Sequence, residues 1–203
     1  MWTDYFESIF LINLKRRPEK LAAAREELDR YRIGCQVIEA KELPDGRAGL
    51  FYTIKALIFR HCLELQNMLI FEDDIKFLRD PGPTMDQCVE QLKQRQWDLF
   101  YLGVNTHGPF PNFTSPNLLP VTEGFSTHAI AYSPTGQQKV NKFQWRDAPI
   151  DVMLANDVQR DGRAFCSYPM LATQRNGYSD IDKKEVTYDY IEQRFDNHVR
   201  HLL

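Results

Sequence analysis

The sequence predicts an α/β fold with a mixed, mainly parallel central sheet. Two observations support this class. Short apolar runs typical of buried strands alternate with stretches of good helix formers, as in βαβ units. The chain has 203 residues, of which 43% are hydrophobic and 26% charged, so it can bury a sizeable core. Because no repeat or low-complexity linker divides the chain, we expect residues 1–203 to form a single domain.

The N-terminal third has the pattern of a βαβαβ unit. Its strands and helices are predicted at residues 9–14, 18–28, 35–40, 50–65 and 67–71. The first run is apolar throughout, as in a strand buried on both faces, and Pro18 suits the first position of the helix that follows. In such a sheet, ligands bind beyond the carboxyl ends of the strands.

The rest of the chain continues the alternation. We predict strands at residues 98–103, 125–132 and 163–168, a short helix from Ser133, and helices at 147–160 and 183–203. Residues 104–120 are rich in Pro, Asn, Thr and Gly, which predicts a long loop. Long loops in compact domains are usually functional or mobile, so this one is a candidate acceptor or lid loop.

An acidic triplet, Glu72-Asp73-Asp74, follows the third predicted strand. Adjacent carboxylates repel one another and raise one another's pKa, and a divalent cation removes this cost. Oxygen ligands suit Mg²⁺ or Mn²⁺. In an extended segment Glu72 and Asp74 point to the same side, so one can bind the metal while the other meets the metal's shell or a ribose. The alternative is a solvated acidic turn.

A basic segment, Lys15-Arg16-Arg17, lies between the first strand and the first helix. Its side chains and the free N–H groups of the helix terminus would share one crevice, which suits a diphosphate. The alternative is a solvated basic turn.

Two further polar residues have two interpretations each. Asp151 opens a predicted helix, where it is either a cap for exposed N–H groups or a general base that deprotonates an acceptor hydroxyl. His128 lies in an apolar strand and is either a core histidine or a ligand-binding residue. His198 and His201 are one helical turn apart, but nothing near them has ligand character, so we expect surface residues.

Charge and composition exclude several classes of partner. The net charge of -3 and pI near 6.0 argue against a nucleic acid or an anionic membrane. The N-terminus lacks a basic region, and every apolar run is too short to span a bilayer. The four cysteines are scattered, as expected of free thiols in a reducing compartment. We therefore expect a cytoplasmic protein without a transmembrane segment.

Taken in order, several segments resemble glycosyltransferase family 25, which includes bacterial lipooligosaccharide galactosyltransferases and procollagen galactosyltransferases. The similar segments are residues 12–18, 69–74, 97–103, 127–133 and 149–151, followed by Gln174 and residues 179–181. One segment departs from the pattern. Many members carry Gly-Cys-x-x-Ser-His at the start of the second helix, where this chain has Gly49-Leu50-Phe51-Tyr52-Thr53-Ile54.

The resemblance implies a GT-A (Rossmann-like) fold and an inverting transfer of a hexose, galactose or glucose, from a UDP-sugar. The acceptor would be a hydroxyl on a glycan, a lipooligosaccharide or a protein. Mn²⁺ or Mg²⁺ would bind at Glu72 and Asp74, and Asp151 or its rival Asp180 would be the base. The residues implied around the donor are Asn13, Arg16, Arg17, Glu72, Asp73, Thr127, His128 and Gln174.

Two other functions stay open on the sequence. A metal-dependent nucleotidyl or phosphoryl transferase would also need an acidic motif in an α/β sheet, although the chain contains no glycine-rich phosphate loop of the GxxxxGK type. A non-catalytic domain that binds sugar nucleotides or glycans would keep the fold without the chemistry, and the missing Ser-His pair is compatible with that.

Overall fold

The central sheet has seven strands in the computed structural model of the chain, which describes residues 1–202. The strands of that range are β1 (Ser8–Asn13), β2 (Gln36–Glu39), β3 (Met68–Glu72), β4 (Ile75–Phe77), β5 (Leu99–Tyr101), β6 (Asn105–Thr106), β7 (Leu118–Pro120), β8 (Gly124–Phe125), β9 (Ala129–Tyr132), β10 (Ala164–Ser167), β11 (Ala172–Gln174), β12 (Gly177–Ser179) and β13 (Lys184–Val186). The α-helices are α1 (Pro18–Arg30), α2 (Gly46–His61), α3 (Gly82–Leu92), α4 (Pro134–Asn141), α5 (Ile150–Asp157) and α6 (Tyr190–Val199).

The sheet is mixed and mainly parallel. Its strand order is β2-β1-β3-β9-β5-β10-β7. β1 pairs in parallel with β2 and β3, and β5 pairs in parallel with β10, whereas β9 and β7 run antiparallel to their neighbours. The predicted fold class, an α/β fold with a mixed, mainly parallel sheet, is confirmed.

Each face of the sheet packs against helices. Alternate residues of β3 point to opposite faces, so Met68 and Ile70 belong to one core cluster and Leu69 and Phe71 to the other. The first cluster includes buried residues of α2, α4, α5 and α6, and the second includes buried residues of α1 and α3. All four of these β3 side chains are at most 1% exposed, which explains the continuous apolar run in the sequence.

At one edge of the sheet, the ends of two parallel strands meet the start of an antiparallel strand. β1 and β3 end there, and β9 begins there because it runs antiparallel to β3. The Glu72 N–H donates to the His128 carbonyl oxygen at 3.0 Å, which joins the two segments. Residues that follow β3 and residues that precede β9 are therefore neighbours.

The βαβαβ prediction is confirmed, with shifted bounds for α2. This helix starts at Gly46, because Asp45 accepts a hydrogen bond from the Arg47 N–H and caps the helix, and it ends at His61 instead of residue 65. Gly49 therefore lies inside the helix. A Cβ atom at Gly49 would lie 2.5 Å from the Lys41 carbonyl oxygen, so this close approach requires glycine.

The predicted strand over residues 125–132 is wrong in its first half. β8 ends at Phe125, and Ser126 adopts a left-handed φ of 76°, which breaks the extended chain before β9. The predicted helix over 147–160 is shorter and begins at Ile150. Asp151 is thus its second residue, and Pro149 occupies the capping position.

The predicted C-terminal helix over residues 183–203 is also wrong at its start, and Leu203 lies outside the described residues. β12 and β13 form a hairpin, and α6 begins only at Tyr190. The Ser179 hydroxyl oxygen accepts a hydrogen bond from the Asp182 N–H, and Lys183 has a φ of 56°, so the chain turns between the strands. The hairpin lies beside the carboxyl edge of β1.

The region between residues 75 and 97 received no prediction, and it contains β4 and α3. The loop predicted over residues 104–120 contains the short strands β6 and β7. Within residues 1–202, no helix is long and apolar enough to cross a membrane. The cysteines are free thiols, as predicted.

Candidate functional site

A cavity of about 340 Å³ lies at the carboxyl ends of β1 and β3. Its wall includes the end of β1, the start of α1, the start of α2 and the residues before it, the turn after β3, the end of β11 with the residues that follow, and the β12–β13 hairpin. The predicted site residues that line it are Asn13, Arg16, Glu72, Asp73, Asp74, Gln174 and Asp180.

The acidic triplet forms the floor of this cavity. The prediction that the triplet is extended is wrong, because Asp73 and Asp74 form a turn between β3 and β4. Glu72 Oε1 accepts a hydrogen bond of 2.5 Å from Thr127 Oγ1, and Asp74 Oδ2 accepts one of 2.9 Å from Gln174 Nε2. Two neutral donors therefore hold two of the three carboxylates in place.

The pKa values of Glu72 and Asp73 are both raised, so these two carboxylates hold their protons more tightly than usual. Desolvation, followed by the charge of Asp74, raises the pKa of Glu72 to about 8. Desolvation also raises the pKa of Asp73 to about 6, although the positive charges of Lys20 and Arg17 oppose this. The turn thus concentrates negative charge, and a bound cation would relieve the repulsion.

The donor atoms of the turn fit a divalent cation that takes few protein ligands. Asp74 Oδ1 is buried and lacks a hydrogen-bond partner within the described chain, although buried carboxylate oxygens normally have one. Across residues 1–202, no three His, Cys, Asp or Glu residues converge as a metal cage. Mg²⁺ and similar ions commonly use one or two carboxylates and complete their shell with water and substrate phosphates. Glu72 and Asp74 match that pattern.

The cationic part of the site surrounds Asp180. Its carboxylate accepts hydrogen bonds from Arg16 Nη2 at 2.7 Å, Arg17 Nη1 at 3.0 Å and Lys20 Nζ at 3.4 Å. Burial by itself would raise the pKa of Asp180, but Arg16, Lys20 and Arg17 outweigh this and lower it. Lys20 was not predicted, although it lies in the first turn of α1, directly after the basic segment.

Other cavity residues offer polar groups to a ligand. Asn13 Nδ2 donates to the Leu14 carbonyl oxygen at 2.7 Å, while the buried Asn13 Oδ1 has no partner in the part of the chain described. Tyr188 also lines the cavity, and burial and the charge of Asp74 raise the pKa of its hydroxyl. Tyr188 was missed because residues 183–203 were predicted to be a helix.

Thr127 and His128 lie behind the acidic turn and do not line the cavity. Both are buried, and neither ring nitrogen of His128 has a hydrogen-bond partner among residues 1–202. Burial lowers the pKa of His128, which favours the neutral form of its ring. The structure thus places both residues next to Glu72, as supports of the acidic turn.

Asp151 also lies outside the cavity wall, but close enough for its charge to contribute to the raised pKa of Glu72. Asp151 Oδ2 accepts a hydrogen bond of 3.0 Å from the N–H of the left-handed Ser126, and Oδ1 accepts one of 2.8 Å from the Val152 N–H. Asp151 therefore anchors the segment that carries Thr127, in addition to any role as a base.

The chain is similar to several known proteins, although no protein-family profile matches it. Inactive glycosyltransferase 25 family member 3 of Mus musculus is 26% identical in a match that covers 87% of this chain. Procollagen galactosyltransferase 1 of Danio rerio is 24% identical in a match that covers 82% of this chain. The resemblance to glycosyltransferase family 25 is confirmed.

The family 25 relatives are longer proteins. This chain spans 38% of the mouse protein and 36% of the zebrafish protein. Among solved structures, A197 from STIV matches with a TM-score of 0.54 and 11% identity over 88% of this chain and 92% of that chain. That likeness shows a shared fold.

Proposed function

We propose that this chain is a glycosyltransferase domain that transfers a hexose, galactose or glucose, from a UDP-sugar to a hydroxyl group of a glycan, lipooligosaccharide or protein. One observation carries the proposal: the acidic turn and the cationic side chains line the same cavity at the carboxyl ends of parallel strands. A nucleoside diphosphate bridged by a divalent cation needs both kinds of group in one place. The family 25 resemblance supports the sugar as the transferred group.

In this proposal Glu72 and Asp74 hold Mn²⁺ or Mg²⁺. The bound ion would neutralise charge that builds on the departing UDP. Arg16 and Arg17 add donors to the same phosphates and thus stabilise the transition state electrostatically. Asn13 contributes a free acceptor oxygen for a donor group of the ligand.

Asp151 is the proposed base of an inverting transfer. It would accept the proton of the acceptor hydroxyl as that oxygen attacks the sugar on the face opposite the diphosphate. The rival Asp180 is less suited, because three cations stabilise its ionised form and lower its pKa. A carboxylate paired with three cations is a weaker proton acceptor than Asp151, which accepts hydrogen bonds from two neutral backbone N–H groups.

A second candidate function is a non-catalytic domain that binds sugar nucleotides or glycans. The names of several relatives favour it, since those of mouse and human are called inactive. The absence of the Ser-His pair after Gly49 also favours it. The transferase and a domain that binds sugar nucleotides both predict that the cavity binds a nucleoside diphosphate, so turnover distinguishes them, whereas a domain that binds only glycans predicts no such binding.

The test combines binding with hydrolysis. Calorimetry should show tighter UDP binding with Mn²⁺ than with a chelator, and Asp74→Ala should abolish that difference. Asp80→Ala is the control, because Asp80 lies outside the cavity wall and caps the turn at Gly82. Slow release of UDP from UDP-galactose or UDP-glucose supports the transferase. UDP binding without any turnover favours the non-catalytic domain, and metal-independent binding rejects the metal site.

A further inference from the structure

The carboxylate of Asp180 occupies the cationic part of the cavity as a bound anion would. Asp180 follows the last residue of β12, and its side chain is only 12% exposed. Its two oxygens accept hydrogen bonds from Arg16, Arg17 and Lys20 at 2.7 to 3.4 Å. Such an arrangement of two oxygens and three cationic donors is also what one phosphoryl group would form.

The hairpin that carries Asp180 is structurally separate from the central sheet. β12 and β13 pair only with each other in the sheets of residues 1–202. Gly177, at the start of β12, has a φ of 151°, and a Cβ atom there would meet no other atom within 4 Å. A glycine with free space in a conformation that other residues rarely adopt is suited to be a hinge.

We propose that Asp180 is an internal ligand of a diphosphate subsite formed by Arg16, Arg17 and Lys20, and that an incoming diphosphate displaces Asp180 together with the tip of the hairpin. The inference rests on the proposed function for the identity of the ligand, and its test uses the bare diphosphate. Because Asp180 and the ligand compete for the same donors, the apparent affinity is the intrinsic affinity multiplied by the fraction of molecules in which Asp180 leaves the subsite free.

Glu19 provides a matched control for this competition. Its Oε1 accepts a hydrogen bond of 2.6 Å from Arg17 Nε, but Glu19 lies on α1, and its side chain is 62% exposed. Glu19→Gln removes the same charge from the same cationic cluster without releasing the hairpin. A gain that comes only from net charge would therefore appear in both variants.

The experiment is calorimetry with inorganic pyrophosphate in the presence of a chelator. We expect Asp180→Asn to bind pyrophosphate about tenfold more tightly than the unmutated chain, and Glu19→Gln to change the affinity by less than about threefold. Lys20→Ala should weaken binding. Unchanged or weaker binding by Asp180→Asn, or an equal gain in Glu19→Gln, overturns the proposal.

Hydrogen exchange on the unmutated chain gives a second readout that needs no variant. Pyrophosphate should speed the exchange of amides in residues 177–186, because ligand binding releases the hairpin tip. Slower exchange there would mean that the hairpin closes over the ligand with Asp180 in place, which rejects displacement. If pyrophosphate behaves as expected but no UDP-sugar is turned over, the subsite stands and the proposed transferase activity fails.

Discussion

Thr127 Oγ1 donates a hydrogen bond of 2.5 Å to Glu72 Oε1 and thereby joins the segment before β9 to the end of β3. Thr127 is buried, and its hydrogen bond lowers the pKa of Glu72 against the larger effect of desolvation. A carboxylate without this donor would hold its proton more tightly and have more freedom of orientation. Thr127 is thus a positioning residue for the proposed metal ligand.

Thr127→Val should weaken the metal-dependent part of UDP binding. Residues that orient metal ligands typically account for about 10- to 100-fold in metal affinity, and we expect a loss in that range. Calorimetric titration of UDP with Mn²⁺ and with a chelator measures it. Thr173→Val is the control, because Thr173 is also buried but its hydroxyl has no partner within residues 1–202. Similar losses in both variants would contradict the role of Thr127.

Asp151→Asn tests whether Asp151 is a catalytic base or only a structural anchor. Both oxygens of Asp151 accept backbone hydrogen bonds, from Ser126 and Val152, and asparagine supplies only one acceptor oxygen. We therefore expect a loss of stability of about 1 kcal/mol. If Asp151 is the base, transfer should also fall by about 10²–10⁴-fold, measured with folded protein saturated with donor.

The control for Asp151 is Asp147→Asn. Asp147 lies in the loop before α5, where its 80% exposed carboxylate pairs with Arg47. This variant should transfer at nearly the normal rate. Near-normal transfer by Asp151→Asn would leave Asp151 as an anchor alone and would move the search for the base to another carboxylate.

Replacing Arg16 and Arg17 with alanine should weaken UDP more than uridine. Both guanidinium groups lie in the cationic cluster, and only UDP carries diphosphate charge. Comparing the two dissociation constants by calorimetry isolates the charged part of the ligand. Lys15→Ala should change neither constant, because the Lys15 side chain is 81% exposed and its Nζ lies 3.8 Å from Glu39 Oε2, outside the cationic cluster. Equal losses for UDP and uridine would make the basic segment structural.

Asp180 should contribute a pH-dependent part of the stability. Its pKa is lower in the folded chain than the value of about 3.9 expected when unfolded. The stabilisation is therefore complete above pH 3.9 and is lost as the pH falls through the folded pKa. Asp180→Asn should lower the free energy of unfolding at pH 7, and this difference should shrink in denaturant titrations toward pH 3. A constant difference over that range would contradict the ion pairs.

Asp98 should be a stability residue without a role in binding. Its fully buried carboxylate contacts Lys139 at 2.6 Å and Arg163 at 2.9 Å. Asp98→Asn removes the buried charge partner of both cations, and within residues 1–202 only Lys139 keeps a second charge partner, Asp161, so we expect a loss of about 2–4 kcal/mol and unchanged UDP affinity. Asp161 shares Lys139 but is 52% exposed, so Asp161→Asn should cost at most about 1 kcal/mol. Thermal unfolding of both variants measures which substitution costs more stability.

The parts of the fold that the sequence predicted are those with a strong hydrophobic period. β1 and β3 are buried on both faces, so their apolar runs were recognisable, and the polar residues that follow them were predicted at the ligand-binding edge. The cavity confirms that Arg16 and the acidic triplet share that edge. Their chemical roles stay predictions.

The missed parts depend on conformations that side-chain pattern does not encode. Ser126 at a φ of 76° splits an apolar segment that otherwise resembles one strand. The β12–β13 hairpin is short, polar and partly exposed, so it has no apolar alternation and its charged residues suggested a helix. For that reason Asp180, Arg16 and Arg17 were each noticed in the sequence, but their pairing was not predicted and Lys20 was missed.

The antiparallel strand β9 has a consequence for how the chain is made. It covers the edge of β3, with Met68 opposite Tyr132 and Phe71 opposite Ala129, yet residues 73–128 intervene between the two strands. During synthesis β1, β2 and β3 therefore leave the ribosome well before the strand that closes their sheet. Until then the nascent β3 presents unpaired N–H and C=O groups that another chain can pair with. Translation past Tyr132 ends that interval of exposure to aggregation.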